Sequence, residues 1–151
     1  MKVLSVQNNL IFNINTMAQF LKKDATIENR GITITGDGLG NQGVFSMVRH
    51  DNDNRTSKTA SFVGYWYVDT AHKDSGEEPF SFLSFSITGD DYDGYMAKEP
   101  QEDEHTMYLL PYKRAYDYVS DKAKLYNSDP ENEEYTEFEK FKDIVDDPRF
   151  S

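Results

Sequence analysis

Two aromatic runs, TASFVGYWYVD at Thr59–Asp69 and FSFLSFSIT at Phe80–Thr88, limit what this chain can become. Side chains on a strand alternate between faces, and aromatic and β-branched residues fit a pleated, half-buried surface. In the first run Phe62, Gly64, Trp66 and Val68 share a face, and Val63, Tyr65, Tyr67 and Asp69 share the other. In the second, Phe80, Phe82, Ser84 and Ser86 lie opposite Ser81, Leu83, Phe85 and Ile87. Neither face of the first run is clearly polar. It therefore reads as a central strand, covered by helices on one side and by chain or a partner on the other. The plain reading of Tyr65 and Tyr67 is core; the alternative is a contact surface or a homodimer interface. The intervening segment Thr70–Pro79 is polar and reads as a connection.

A chain of 151 residues fits one domain, 1–151, and can bury a core without staples. With no cysteine it has no disulfide, no thiol nucleophile and no cysteine-held zinc, as expected in a reducing cytoplasm. Asn8, Asn9, Asn13 and Asn15 break the apolar start, so neither a signal peptide nor a membrane span is expected there. The net charge of −11 is unevenly spread. Residues 1–50 carry five bases and three acids, 51–100 four and ten, and 101–151 seven and fourteen. Such a field repels nucleic acid and anionic membrane and favours a basic protein surface as partner.

In chain order, Met1–Val6 and Leu10–Ile14 read as short strands, and Asn15 as the cap of a short helix running to about Lys23. Gly31–Thr35 and Gly43–Arg49 read as a hairpin closed by the glycine-rich Gly36–Asn41, and Asp51–Lys58 as a polar loop. An acidic turn follows Thr88, and His105–Leu110 reads as a last strand. Pro111 suits a helix start, and Tyr112, Ala115, Tyr116, Val119, Ala123 and Tyr126 fall on one helix face. Asp129-Pro130-Glu131 reads as the start of a second helix whose apolar face is Tyr135, Phe138, Phe141 and Val145, ending at Asp146–Pro148. The expected fold is α+β: a mainly antiparallel sheet of about five to seven strands, with a short N-terminal helix and two C-terminal helices on one face.

No motif carries catalysis. GDGLGN lacks the lysine of a phosphate loop and sits between strands. DDYDG resembles half a calcium loop, but Gly89 stands where the first acid belongs and Pro100 where the closing glutamate belongs. A weak cation site at Asp90–Asp93 is the alternative reading of that turn. His50, His72 and His105 show no metal-ligand spacing, and Arg49-His50-Asp51 lacks a nucleophile. The chain is read as a non-enzyme without cofactor or metal.

What remains is acid density. Glu102, Asp103 and Glu104 form one group; Glu131, Glu133, Glu134, Glu137 and Asp143 belong to another. On an α-helix Glu133 and Glu137 would share a side, and a 1.5 Å rise would approach the roughly 1.7 Å charge spacing of duplex DNA. With Asp90–Ser151 so acidic and tyrosine-rich, the chain resembles in composition the small acidic anti-defence proteins of phages and plasmids, of the anti-CRISPR or anti-restriction type. That resemblance implies a stoichiometric inhibitor imitating nucleic acid. Its partner-binding residues would be Asp90, Asp91, Tyr92, Asp93, Tyr95, Glu102, Asp103, Glu104, Glu131, Glu133, Glu134, Tyr135, Glu137 and Asp143. The alternatives are a metal- or ligand-binding accessory protein and an oligomeric assembly component.

Overall fold

The computed structural model describes residues 18–97 and 110–145. It is an α+β fold on an antiparallel sheet of order β6-β5-β4-β1-β7. The strands are β1 (Gln19–Leu21), β4 (Val44–Asn54), β5 (Thr59–Tyr67), β6 (Ser81–Thr88) and the two-residue β7 (Ile144–Val145). A separate hairpin pairs β2 (Thr26–Asn29) with β3 (Ile32–Thr35). The two aromatic runs pair in the register Phe62↔Phe85 and Tyr65↔Phe82, and β5 lies between β4 and β6 as its two apolar faces require.

One face of the sheet is covered by α3 (Leu110–Ser128) and a 3-10 helix (Glu133–Phe141). Ala115, Val119 and Ala123 of α3 are buried on the face its sequence spacing indicates. Phe85 meets the rings of Tyr118 at 5.8 Å and Phe141 at 5.4 Å. The Tyr116 hydroxyl accepts from the Met47 amide at 2.5 Å, which fixes α3 against β4. Phe45 crosses over the backbone of Gly64, where a Cβ would sit 2.1 Å from the ring, so only glycine fits.

Several sequence expectations are corrected. Gln19–Leu21 is strand, not the end of a helix: Phe20 pairs with Val44 on one side and Val145 on the other, and this pairing outweighs the local helical spacing. Ile32–Thr35 pairs with Thr26–Asn29 rather than Val44 onward, because Arg30 and Gly31, both at positive φ, close a two-residue turn. The Gly36–Gly43 connection instead packs on β1, with Leu21 N–H donating to the Gly43 carbonyl at 2.8 Å. The supposed loop from Asp51 is strand as far as Asn54. Its polar side chains are exposed while its backbone pairs with β5 across two irregularities.

Thr70–Pro79 contains a short helix, α1 (Thr70–Asp74), capped by Asp69. The acidic turn is α2 (Gly89–Asp91), continuing as a π-turn over Tyr92–Met96. The second C-terminal helix is 3-10, and its cap is Asn132, not Asp129. Val145 lies in β7 rather than on that helix. Leu110 opens α3 instead of closing a strand. The expected strands Met1–Val6 and Leu10–Ile14, most of His105–Leu110, and Glu102, Asp103, Glu104 and Asp146–Pro148 lie outside the described residues.

Candidate functional site

Carboxylates from three elements converge beside the exposed side of α3. The turn 89–97 carries three acids and no base, and residues 110–145 carry nine acids and six bases. Tyr95 of the turn donates its hydroxyl to Asp121 of α3 at 2.6 Å. Burial pushes the Tyr95 hydroxyl pKa well above its ordinary value; the bond to Asp121 and the nearby charges of Asp91 and Asp117 push the same way. Buried Tyr118 is raised too, by burial first and then by Asp91 and Glu137. The hydrogen bond from Tyr95 to Asp121 holds the turn against the exposed side of α3.

Lys122 sits at the centre. Its ammonium lies 3.1 Å from Asp91, 4.8 Å from the centroid of Phe138 and 5.6 Å from that of Tyr118. Its side chain is largely covered. A cation held over aromatic faces and against a carboxylate is fixed in place. Arg114, buried lower on α3, donates to the Met96 carbonyl at 2.8 Å and ties the end of the π-turn to the helix.

The predicted residues divide. Asp90, Asp93, Glu131, Glu133, Glu134 and Glu137 are exposed; Asp91, Tyr95, Tyr135 and Asp143 are half-buried. Tyr92 is corrected: it is only 1 % exposed, and its hydroxyl bonds the carboxylate of Asp53, so it is a core residue and not a contact. Burial and that bond push its pKa up to about 12. The shared side of Glu133 and Glu137 is corrected as well. A 3-10 helix repeats every three residues, so Glu134 and Glu137 form the ridge, while Tyr135, Phe138 and Phe141 line the other side. Its rise of about 2.0 Å per residue also dilutes the charge below that of an α-helix. The 3-10 helix carries Glu133, Glu134, Glu137 and Glu139 against Lys140. This is sparse beside a duplex with one charge per about 1.7 Å. The acids of the turn and of α3 stand beside those of the 3-10 helix, with Lys122 between Asp91 and Phe138. Asp117 and Asp121 are not among the residues that the sequence singles out; their one-turn spacing opposite the apolar face of α3 is the signal that could have found them.

The turn is not arranged as a cation cage. Asp91 reaches Lys122 and Asp93 reaches Lys58 at 2.8 Å, on different sides. Among the described residues no group of three or more His, Asp or Glu is placed to hold a metal ion. Nor, among those residues, is any helix long and apolar enough to cross a membrane. Comparison with family models, with curated proteins and with solved structures returns no match.

Proposed function

We propose that this protein is a stoichiometric inhibitor that lays its acidic helical face on a basic, nucleic-acid-binding surface of a host defence nuclease. The observation that supports the reading is the pair of links that hold the acidic turn against the helices: Tyr95 donates to Asp121 of α3, and Lys122 lies between Asp91 of the turn and Phe138 of the 3-10 helix. Complementary charge of this kind steers encounter and fixes register. The half-buried rings of Tyr95 and Tyr135 would add rigid contact area. In this mechanism the protein transforms nothing: it occupies a Lys/Arg channel and excludes the nucleic acid that would enter it.

The test is capture from nuclease-treated bacterial lysate on the immobilised protein. The expected partner is a basic nucleic-acid enzyme, retained at low salt, released at high salt and displaced by duplex DNA. The combined reversal Glu133→Lys, Glu134→Lys and Glu137→Lys is expected to weaken that partner roughly a hundredfold or more. Unchanged affinity of the triple variant for the captured enzyme would sink the reading.

A further inference from the structure

The sheet face turned away from α3 is chemically unlike the acidic side. On it Phe82 is 67 % exposed, opposite Tyr65 in register; Ile32 of the separate β2–β3 hairpin, 60 % exposed, lines the same groove. Between them runs an open groove of about 580 Å³ whose walls include Asn29, Arg30, Ile32, Tyr65, Glu78 and Phe82. The hairpin is anchored there by Asn29, whose amide donates to the Phe80 carbonyl at 2.6 Å. β6 is the outermost strand, and among the described residues it pairs only with β5. An exposed edge is ordinarily blocked by lysine, proline or an inward charge. Ser81–Thr88 has none of these: its sequence is SFLSFSIT.

We propose that a second copy of this chain docks here, edge to edge along β6, forming a two-fold dimer with a continuous sheet. Charge decides the occupant. Two molecules of net charge −11 repel through their helical sides. Contact between copies costs least where charge is absent or balanced. β6 is uncharged, and the groove beside it holds one cation, Arg30, and one anion, Glu78. A two-fold axis sets a patch against itself, so a patch with one residue of each sign faces its copy without net repulsion. A basic partner would find little to pair with here and much on the opposite side. The dimer leaves both acidic faces outward and does not depend on what they bind.

The experiment is sedimentation of the full chain over a wide concentration range, with amide hydrogen exchange on the same samples. The wild type is expected to shift from monomer to dimer, with β6 amides slowing as concentration rises. Added salt should tighten the dimer by screening repulsion between acidic copies. Phe82→Glu is expected to weaken it roughly tenfold or more, the scale of losing an aromatic anchor. Ser84→Lys, a charge on the same exposed edge, should do likewise and stands in if the first variant fails to fold. Circular dichroism and the melting curve of the diluted variants should match wild type. A wild type that stays monomeric throughout overturns the proposal. So does a dimer that both variants leave intact, or one that salt dissolves.

Discussion

On one face of the sheet, α3 and the 3-10 helix cover Phe62 and Phe85 and turn carboxylates outward; on the other, Phe82 stands in solvent, and Arg49, paired with Asp51, lies opposite Val63. Both faces belong to the same strands, and Phe82 and Phe85 are three residues apart. A strand must present whatever alternates along it, so β6 offers aromatic surface to both sides. A helix has a wide outer side free of packing duties, so the acids accumulate there. The contrast places the aromatic core on one side of the sheet and leaves a ring in solvent on the other.

The sharpest way to break that contrast is to remove one ring from each face. Phe85→Ala, which leaves a void beneath Tyr118 and Phe141, should cost about 3–5 kcal/mol in chemical denaturation. Phe82→Ala should stay within about 0.5 kcal/mol when the protein is dilute. Equal losses would mean that both faces are core.

Alkaline titration separates the turn from the exposed acids. The Tyr92 pKa is raised from 10.0 to about 12, so the fold favours the neutral hydroxyl. Its contribution is complete below the unfolded value and is lost as pH rises through the window between the two. Tyr92→Phe should lose the Asp53 bond, about 1 kcal/mol or somewhat more, and show a shallower decline across that window. An identical alkaline profile would show that Tyr92 is not the sensitive group.

Lys122→Met keeps the stem over Phe138 but strips the charge from Asp91. Roughly 1–2 kcal/mol should be lost by thermal unfolding. No loss would reduce the centre of the acidic face to an ordinary surface pair.

Smaller still is Asp69→Ala, which removes the α1 cap and should cost at most about 1 kcal/mol. The His72 pKa is raised, first by its hydrogen bond to Asp69. That contribution is therefore full below the ordinary value of 6.5 and fades as pH rises through the raised one. The variant's deficit should shrink at alkaline pH; a deficit that grows would reverse the assignment.

What the sequence made legible follows from how strongly each segment's own pattern speaks. β5, β6 and α3 carry long periodic runs and their packing follows them, except that α3 also buries Arg114, Tyr118 and Ser120 off the face its spacing marks. The 3-10 helix was half legible. Tyr135, Phe138 and Phe141 are spaced by threes, but adding Val145 implied an α-helix that the chain abandons for β7. β1 and the polar end of β4 exist because a neighbour pairs with them, and no local spacing records a neighbour. For the site, the exposed glutamates were legible as charge. That Tyr92 is core was not, since the ring packs into a cluster drawn from distant segments and its hydroxyl meets Asp53, far away in the chain.

The lysines paired with the acids of the turn and of α3 have one more consequence. Asp91, Asp93 and Asp117 already hold Lys122, Lys58 and Lys113 at 3.1, 2.8 and 3.0 Å. Duplex DNA enters a basic channel by shedding condensed small cations, and its affinity falls steeply with salt for that reason. A surface whose counterions are covalently its own has fewer to shed. On the proposed reading, its complex with a nuclease weakens with salt less steeply than the nuclease–DNA complex does. The inhibitor would then gain on its competitor as the ionic strength of the medium rises.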